Sequence, residues 1–297
     1  GMLDLRDIYP LIDGVESDPA PTEGKILPKE GLFIALLQSK MYKVATELLT
    51  MGPRWFFGAN KDNYVVRELL STCKGLIEGL YSHYYSDHTL DGAVAGKESQ
   101  LLGFFNFDLL EHFKSYGIGL IRAGRHYFHQ DLVLLTKLTR VLKHFADTQT
   151  NEAGDCVAVL VLEVLLPSMS YTSPNPSLCY EIWQVLDKLG HEERFRLYSA
   201  FRDQDMCESQ KTVAERAERK LQLMVDRLDA KNLKREARSM AQMAHAHPLI
   251  VAEKIVRFST AADRQAEKVV DLLVRLVQYF TPLGVDALLY VLLLNIS

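Results

Sequence analysis

Two histidines three residues apart, His126 and His129, are the first side chains in this 297-residue chain whose spacing could do chemistry. One helical turn between them would put both imidazoles on one face, where they could fill two positions around a metal. Zinc takes three or four protein ligands. No third ligand lies at a recognisable offset, and Tyr127-Phe128 between the histidines favours packing, so no metal is expected. His245-x-His247 stands just before Pro248, where a helix must end. There, imidazoles commonly meet terminal carbonyls. Gly117-Ile118-Gly119 followed by Gly124 misses the dinucleotide-binding spacing and follows no strand-like run. The chain has no G-x-x-x-x-G-K-[ST] loop and no G-x-S-x-G elbow. Its four cysteines (Cys73, Cys156, Cys179, Cys207) form no C-x-x-C pair. The sequence therefore reads as a non-enzyme with no catalytic residue and no cofactor.

Charge is the stronger signal. Between 211 and 238, nine basic residues face five acidic ones, Glu215, Glu218, Asp226, Asp229 and Glu236. Lys211 begins the run. The other eight, Arg216, Arg219, Lys220, Arg227, Lys231, Lys234, Arg235 and Arg238, are the candidate partner-binding residues. Two readings stay open. One is a solvated helix face laced by pairs such as Glu215–Arg219. The other is a surface for an acidic protein or for RNA. Aromatic side chains for base stacking are missing from the run, which favours protein over single-stranded RNA.

The elements that would carry these residues follow from composition and periodicity. A 48% hydrophobic content can bury one large core or two smaller ones in series. A formal charge of −4 argues against a protein that coats nucleic acid over its whole surface. Asp4, Asp7 and Asp13 make the start unlike a secretory or transit peptide. Gly1-Met2 has the form of a tag-removal scar, and the apolar run up to Leu294 suggests a piece cut from something longer. No uncharged apolar run reaches the ~18 residues of a membrane span. Dispersed cysteines in so long a chain read as buried thiols in a reducing compartment.

Residues 1–28, broken by Pro10, Pro19, Pro21 and Pro28, read as an arm or linker. Phe33, Leu36, Leu37, Met41, Val44, Leu48 and Leu49 then set a helical period that Gly52-Pro53 should stop. Tyr64 to Tyr85 reads as a second helix, Asp87 to Glu98 as a loop, and Leu101–Phe113 and Ile118–Tyr127 as shorter apolar segments. Asp131 is placed to cap a helix with Leu132, Leu135, Leu138, Leu142 and Phe145 on its face. Residues 147–155 and 167–176 read as loops, with Val157–Leu166 between them as helix. Further helices are expected near 178–189, 191–203, 211–228, 231–245, 248–259, 264–281 and 284–296. Thr212 and Glu215 should form a capping box on the 211–228 helix. Val213, Ala217, Leu221, Met224 and Leu228 should be its buried stripe. Trp183 and Tyr198, on neighbouring helices, are expected to be largely buried, with Arg194 and Arg196 stacked on such rings or paired with Glu181. The whole predicts an all-α fold, a HEAT-like helical repeat or α-solenoid of antiparallel helix pairs with about 40 residues per repeat.

A family resemblance enters through a set of short runs. They are Leu165-Leu166-Pro167-Ser168-Met169-Ser170, Glu181-Ile182-Trp183, Arg194-Phe195-Arg196-Leu197-Tyr198 and Ala214-Glu215-Arg216-Ala217. Leu228-Asp229-Ala230-Lys231-Asn232-Leu233, Ala246-His247-Pro248 and Asp286-Ala287-Leu288-Leu289-Tyr290 continue the series. From about residue 130 their order and spacing resemble the central region of the largest THO-complex subunit, the THO complex subunit 2 family. Leu228 to Leu233 also resembles the opening of the middle domain of initiation factor four-G, with Leu233 in place of the usual aromatic and Ala230 in place of a proline. The resemblance implies a helical-repeat domain over 29–205 and a truncated middle-domain-like repeat over 206–297. It implies a non-catalytic nuclear scaffold in mRNA processing and export. Its partners would be other THO subunits and a DEAD-box RNA-dependent ATPase, with mRNA contacted indirectly or weakly and no membrane.

Overall fold

A computed structural model describes residues 28–51, 64–85, 110–148, 151–203, 208–227, 231–261, 275–276 and 278–296. Among these residues the structure is helix and turn, with no strand. The expected all-α helical-repeat fold is what is found. The arm over 1–28 falls almost wholly outside the described residues, as do the 87–98 loop, most of the 264–281 helix, Leu228 and Cys207. Two compact units divide between Gly124 and Arg125.

In the first unit α1 (Pro28–Gln38) packs on α2 (Tyr42–Met51) and α3 (Tyr64–Tyr85). The single run expected over Phe33–Leu49 is two helices. Lys40 takes a left-handed backbone, φ 58°. Its N–H donates to the Leu37 carbonyl at 3.0 Å and that of Met41 to Leu36 at 2.9 Å. This pair of bonds is the Schellman arrangement that closes a helix, here without the glycine that usually marks it. Met41, counted on the apolar face, is consequently half exposed. Further along, a π-turn (Phe113–Gly117) leads into α4 (Ile118–Gly124). A Cβ on Gly117 would collide with the Leu76 side chain, so this position admits only glycine without repacking.

The second unit begins with a 3-10 helix (Arg125–Gln130), then α5 (Leu132–Asp147). Asp131 caps α5 as expected, its Oδ1 accepting the Leu134 N–H at 2.9 Å. Leu135, Leu138, Leu142 and Phe145 are buried, but Leu132 at the helix mouth is exposed. Helix returns at α6 (Asn151–Leu160), inside the expected loop. Asn-Glu opens it, residue types that suit a first turn as well as a loop. α6 runs through a π-turn (Val161–Leu165) into α7 (Leu166–Tyr171). Pro167, read as a breaker, sits inside. Its missing N–H and bulky ring are accommodated by the wider turn, where the Leu166 N–H reaches back five residues to the Val161 carbonyl. Asn175 caps α8 (Pro176–Leu186), accepting from the Ser177 and Leu178 N–H groups.

The repeat period is visible in the contacts between α5 and α8. Arg140 binds Glu181 at 2.6 Å, Lys143 donates to Gln184 at 2.7 Å, and Asp147 binds Lys188, two residues past the end of α8, at 2.6 Å. Every partner lies 41 residues along. A constant offset across two turns means two parallel helices in register, as equivalent helices of successive repeats must be. α9 (His191–Asp203), α10 (Glu208–Asp226), α11 (Leu233–Ala244), α12 (Pro248–Ala261) and α13 (Pro282–Ile296) complete the unit. α12 packs on α10, α11 and α13, and α13 also meets α8 and α9. One apolar cluster joins Ala217, Leu221 and Val225 of α10 to Ala237 and Met240 of α11 and to Val251 and Ile255 of α12.

Candidate partner surface

α10 positions the first half of the basic run. It starts at Glu208, a turn earlier than expected, so Thr212 lies inside the helix and the Thr212–Glu215 capping box does not exist. An acidic residue is a favourable start for a helix without any box. Ala217, Leu221 and Val225 are buried, with Met224 packed beside them and Val213 half-buried. With that face turned inward, Arg216, Arg219, Lys220 and Arg227 are all exposed. α11 buries Leu233, Glu236, Ala237 and Met240, which leaves Lys231, Lys234, Arg235 and Arg238 exposed in the same way. The eight sequence-selected residues thus all face solvent, six on two consecutive helices, with Arg227 just after α10 and Lys231 just before α11.

Three of the eight have partners. Arg219 pairs with Glu215 at 3.1 Å, the i,i+4 bridge foreseen, and both are so exposed that the pair contributes little. Arg235 binds Glu236 at 2.8 Å, and the Arg238 guanidinium lies 5.1 Å from the Tyr279 ring centre. Arg216, Lys220, Arg227, Lys231 and Lys234 make no ion pair among the described residues.

Charge on α10 is segregated. Lys211, Glu215, Glu218, Gln222 and Asp226 recur at i, i+4, i+7, i+11 and i+15, which is one flank of a 3.6-residue helix. Arg216, Lys220, Leu223 and Arg227 recur at i, i+4, i+7 and i+11 on the other. Leu223 is 53% exposed and falls outside the expected buried stripe. The sequence carried this signal, a leucine between two lysine- and arginine-bearing turns, but it was not singled out. Glu215 and Glu218 of the acidic flank border a cavity of about 280 Å³ whose walls include Tyr171, Phe201, Ile250 and His247.

The histidines are packing residues. His126 is buried and stacks on Tyr127 and Tyr171, ring centres 4.2 and 4.4 Å away. Burial pushes its pKa down to about 4. The His129 Nδ1 donates to the His126 carbonyl at 2.6 Å. Among the described residues no three His, Cys, Asp or Glu side chains are grouped as a metal site. Among the described residues neither His245 nor His247 bonds a helix-end carbonyl through its ring. Burial lowers both, His247 to about 4. Cys73, Cys156 and Cys179 form no disulfide among the described residues, and burial raises the pKa of Cys73 and Cys179. Among the described residues no helix is long and apolar enough to cross a membrane.

Two runs that carried the resemblance meet in space. Arg194 of α9 grips Asp286 of α13 with both arms, Nε to Oδ2 at 2.9 Å and Nη2 to Oδ1 at 3.1 Å. The Tyr198 hydroxyl donates to Oδ2 at 2.8 Å. Arg194 also lies 5.3 Å from the Trp183 ring centre. Stacking was foreseen for Arg194, but Glu181 pairs with Arg140, and Arg196 pairs with Glu193. Tyr198 is buried as expected, whereas Trp183 is only half-buried.

Comparison with known proteins bears out the resemblance. Residues 119–238 match the family described as THO complex subunit 2 N-terminus, where the residue runs alone suggested the central region. THO complex subunit 2 of Arabidopsis thaliana is 31% identical over 188 residues, covering 56% of this chain and 10% of that protein. The Homo sapiens and Mus musculus proteins of the same name are each 26% identical over 181 residues, covering 56% of this chain and 11% of theirs. The chain thus spans about a tenth of the length of these relatives.

Proposed function

We infer from this likeness that the chain is a segment of a THO complex subunit 2 and a non-catalytic scaffold in a nuclear complex for mRNA processing and export. It binds other THO subunits, and it binds and positions a DEAD-box RNA-dependent ATPase. The observation that supports the partner role is the exposed basic surface of α10 and α11. All eight of its residues lie inside the 119–238 match, and the helices that carry them are anchored by a common core. On this reading residues 206–297 begin a middle-domain-like repeat. A rigid helical stack that touches both lobes of such an ATPase would favour one state of its open–closed equilibrium. It would speed nucleotide turnover without donating a catalytic group. Messenger RNA is then contacted indirectly or weakly.

The test is a pull-down from nuclear extract with this chain as bait, with and without ribonuclease. THO subunits and a DEAD-box ATPase should copurify in both. Recovery of RNA-bridged proteins alone, lost on ribonuclease treatment, would replace the scaffold with the runner-up reading, a helical-repeat RNA-binding module.

A further inference from the structure

We propose that the Arg216–Lys220–Leu223–Arg227 flank of α10 docks an acidic helix of a partner protein that carries one apolar residue among its carboxylates. The proposal rests on the protein-scaffold reading above and specifies what that surface recognises.

The four residues share one stripe about 16 Å long, from the 1.5 Å rise per residue. All are exposed, and Leu223 is 53% exposed. An ordinary solvated helix interleaves both signs, because like charges at i,i+4 repel. This stripe places Arg216 and Lys220 at that spacing with no acid between them. The acids of α10 lie on the opposite flank, where Glu215 takes Arg219. An uncompensated positive row thus borders an apolar side chain that water solvates poorly.

That combination selects the class of partner. Phosphates of a nucleic acid would satisfy the three cations but leave Leu223 as it is. No exposed aromatic on this flank offers a base a stacking surface. A partner helix can do both jobs, provided that its residues follow the same rhythm: acid, acid four residues on, apolar three later, acid four later. Carboxylates then meet Arg216, Lys220 and Arg227 while the apolar side chain covers Leu223. The charges mainly set association rate and salt dependence, and the leucine contact adds specificity.

Two fluorescent 16-residue helical peptides with that acidic spacing test the proposal by anisotropy. One carries leucine at the apolar position and the other glutamine. A 16-nucleotide oligouridine is the third probe. The native chain should bind the leucine peptide about tenfold more tightly than the glutamine peptide, the scale of a half-buried leucine. Leu223→Gln should erase that preference, and Lys220→Glu should weaken both peptides. Dichroism of both variants should match the native chain, since neither side chain is in the core. Equal binding of the two peptides overturns the proposal. So does oligouridine binding tighter than either peptide and indifferent to Leu223→Gln. If either happens while the ATPase still copurifies, the scaffold reading stands and only the stripe falls. If the peptides behave as expected and no ATPase copurifies, the stripe stands and its partner is another protein.

Discussion

Asp286→Ala should be among the most damaging single substitutions in the second unit. The carboxylate is 8% exposed and accepts three hydrogen bonds, two from Arg194 and one from Tyr198. Removing it leaves the Arg194 guanidinium, itself 15% exposed as a side chain, with the Leu189 carbonyl, the Trp183 ring and the more distant charge of Asp187. Breaking a buried pair by removing one partner costs about 3–5 kcal/mol, because the remaining charge is uncompensated. Tyr198→Phe should cost less, about 1.5–3 kcal/mol, the range for one hydrogen bond to a charged group. Burial and the neighbouring carboxylate hold the Tyr198 phenol well above its ordinary pKa, so it remains a donor at any working pH. Urea unfolding read by Trp183 fluorescence, in a Trp55→Phe background, measures both. A double-mutant cycle with Arg194→Met should give a coupling of ~2 kcal/mol or more. A loss under ~1 kcal/mol for Asp286→Ala, or a coupling near zero, would refute the claim that this contact joins α9 to α13.

Three further outcomes are expected. Trp183→Ala should cost about 2 kcal/mol in urea unfolding followed by far-ultraviolet dichroism, below the 3–5 typical of fully buried aromatics, because one ring face carries Arg194 instead of core; a loss above ~4 kcal/mol would contradict this. Tyr290→Phe should be neutral or stabilising by up to ~1 kcal/mol, since the buried hydroxyl has no hydrogen-bond partner among the described residues; clear destabilisation in thermal melts would mean the hydroxyl is satisfied. His126 is depressed to about 4, so the unfolded chain takes up a proton near pH 6.5 that the folded chain refuses until about pH 4. Stability from this group is complete above pH 6.5 and falls as pH drops toward 4. His126→Phe should flatten that part of the melting-temperature profile, and an unchanged profile would count against the burial argument.

What the sequence disclosed tracks what is local. Asp131 was legible as a cap because its bond to Leu134 spans three residues, and the helical period of α5 and α8 needed only spacing. The eight basic residues were legible for the same reason, since a helix that buries Ala217 and Leu221 must expose Arg216 and Lys220. Pro167 misled because a proline normally breaks a helix, and the π-turn that accommodates it has no composition of its own. Lys40 misled in the opposite sense, ending a helix at a position where glycine is the usual signal. The Arg194–Asp286 contact spans 92 residues, and no local pattern links them. Both were visible only as members of runs that resembled one family.

The central claim, that the basic face of α10 and α11 binds a DEAD-box ATPase, is tested most directly by a binding titration. Native chain is compared at two salt concentrations with a variant in which Arg219, Lys220, Lys234 and Arg235 are all changed to Glu. Exposed charges of this kind act chiefly on association and its salt dependence. The native chain should therefore bind the ATPase, more tightly at low salt, and the reversed variant should bind at least tenfold more weakly there while keeping its helical spectrum. Equal affinity of the two proteins at low salt would contradict the account and leave these eight side chains as solvated charge.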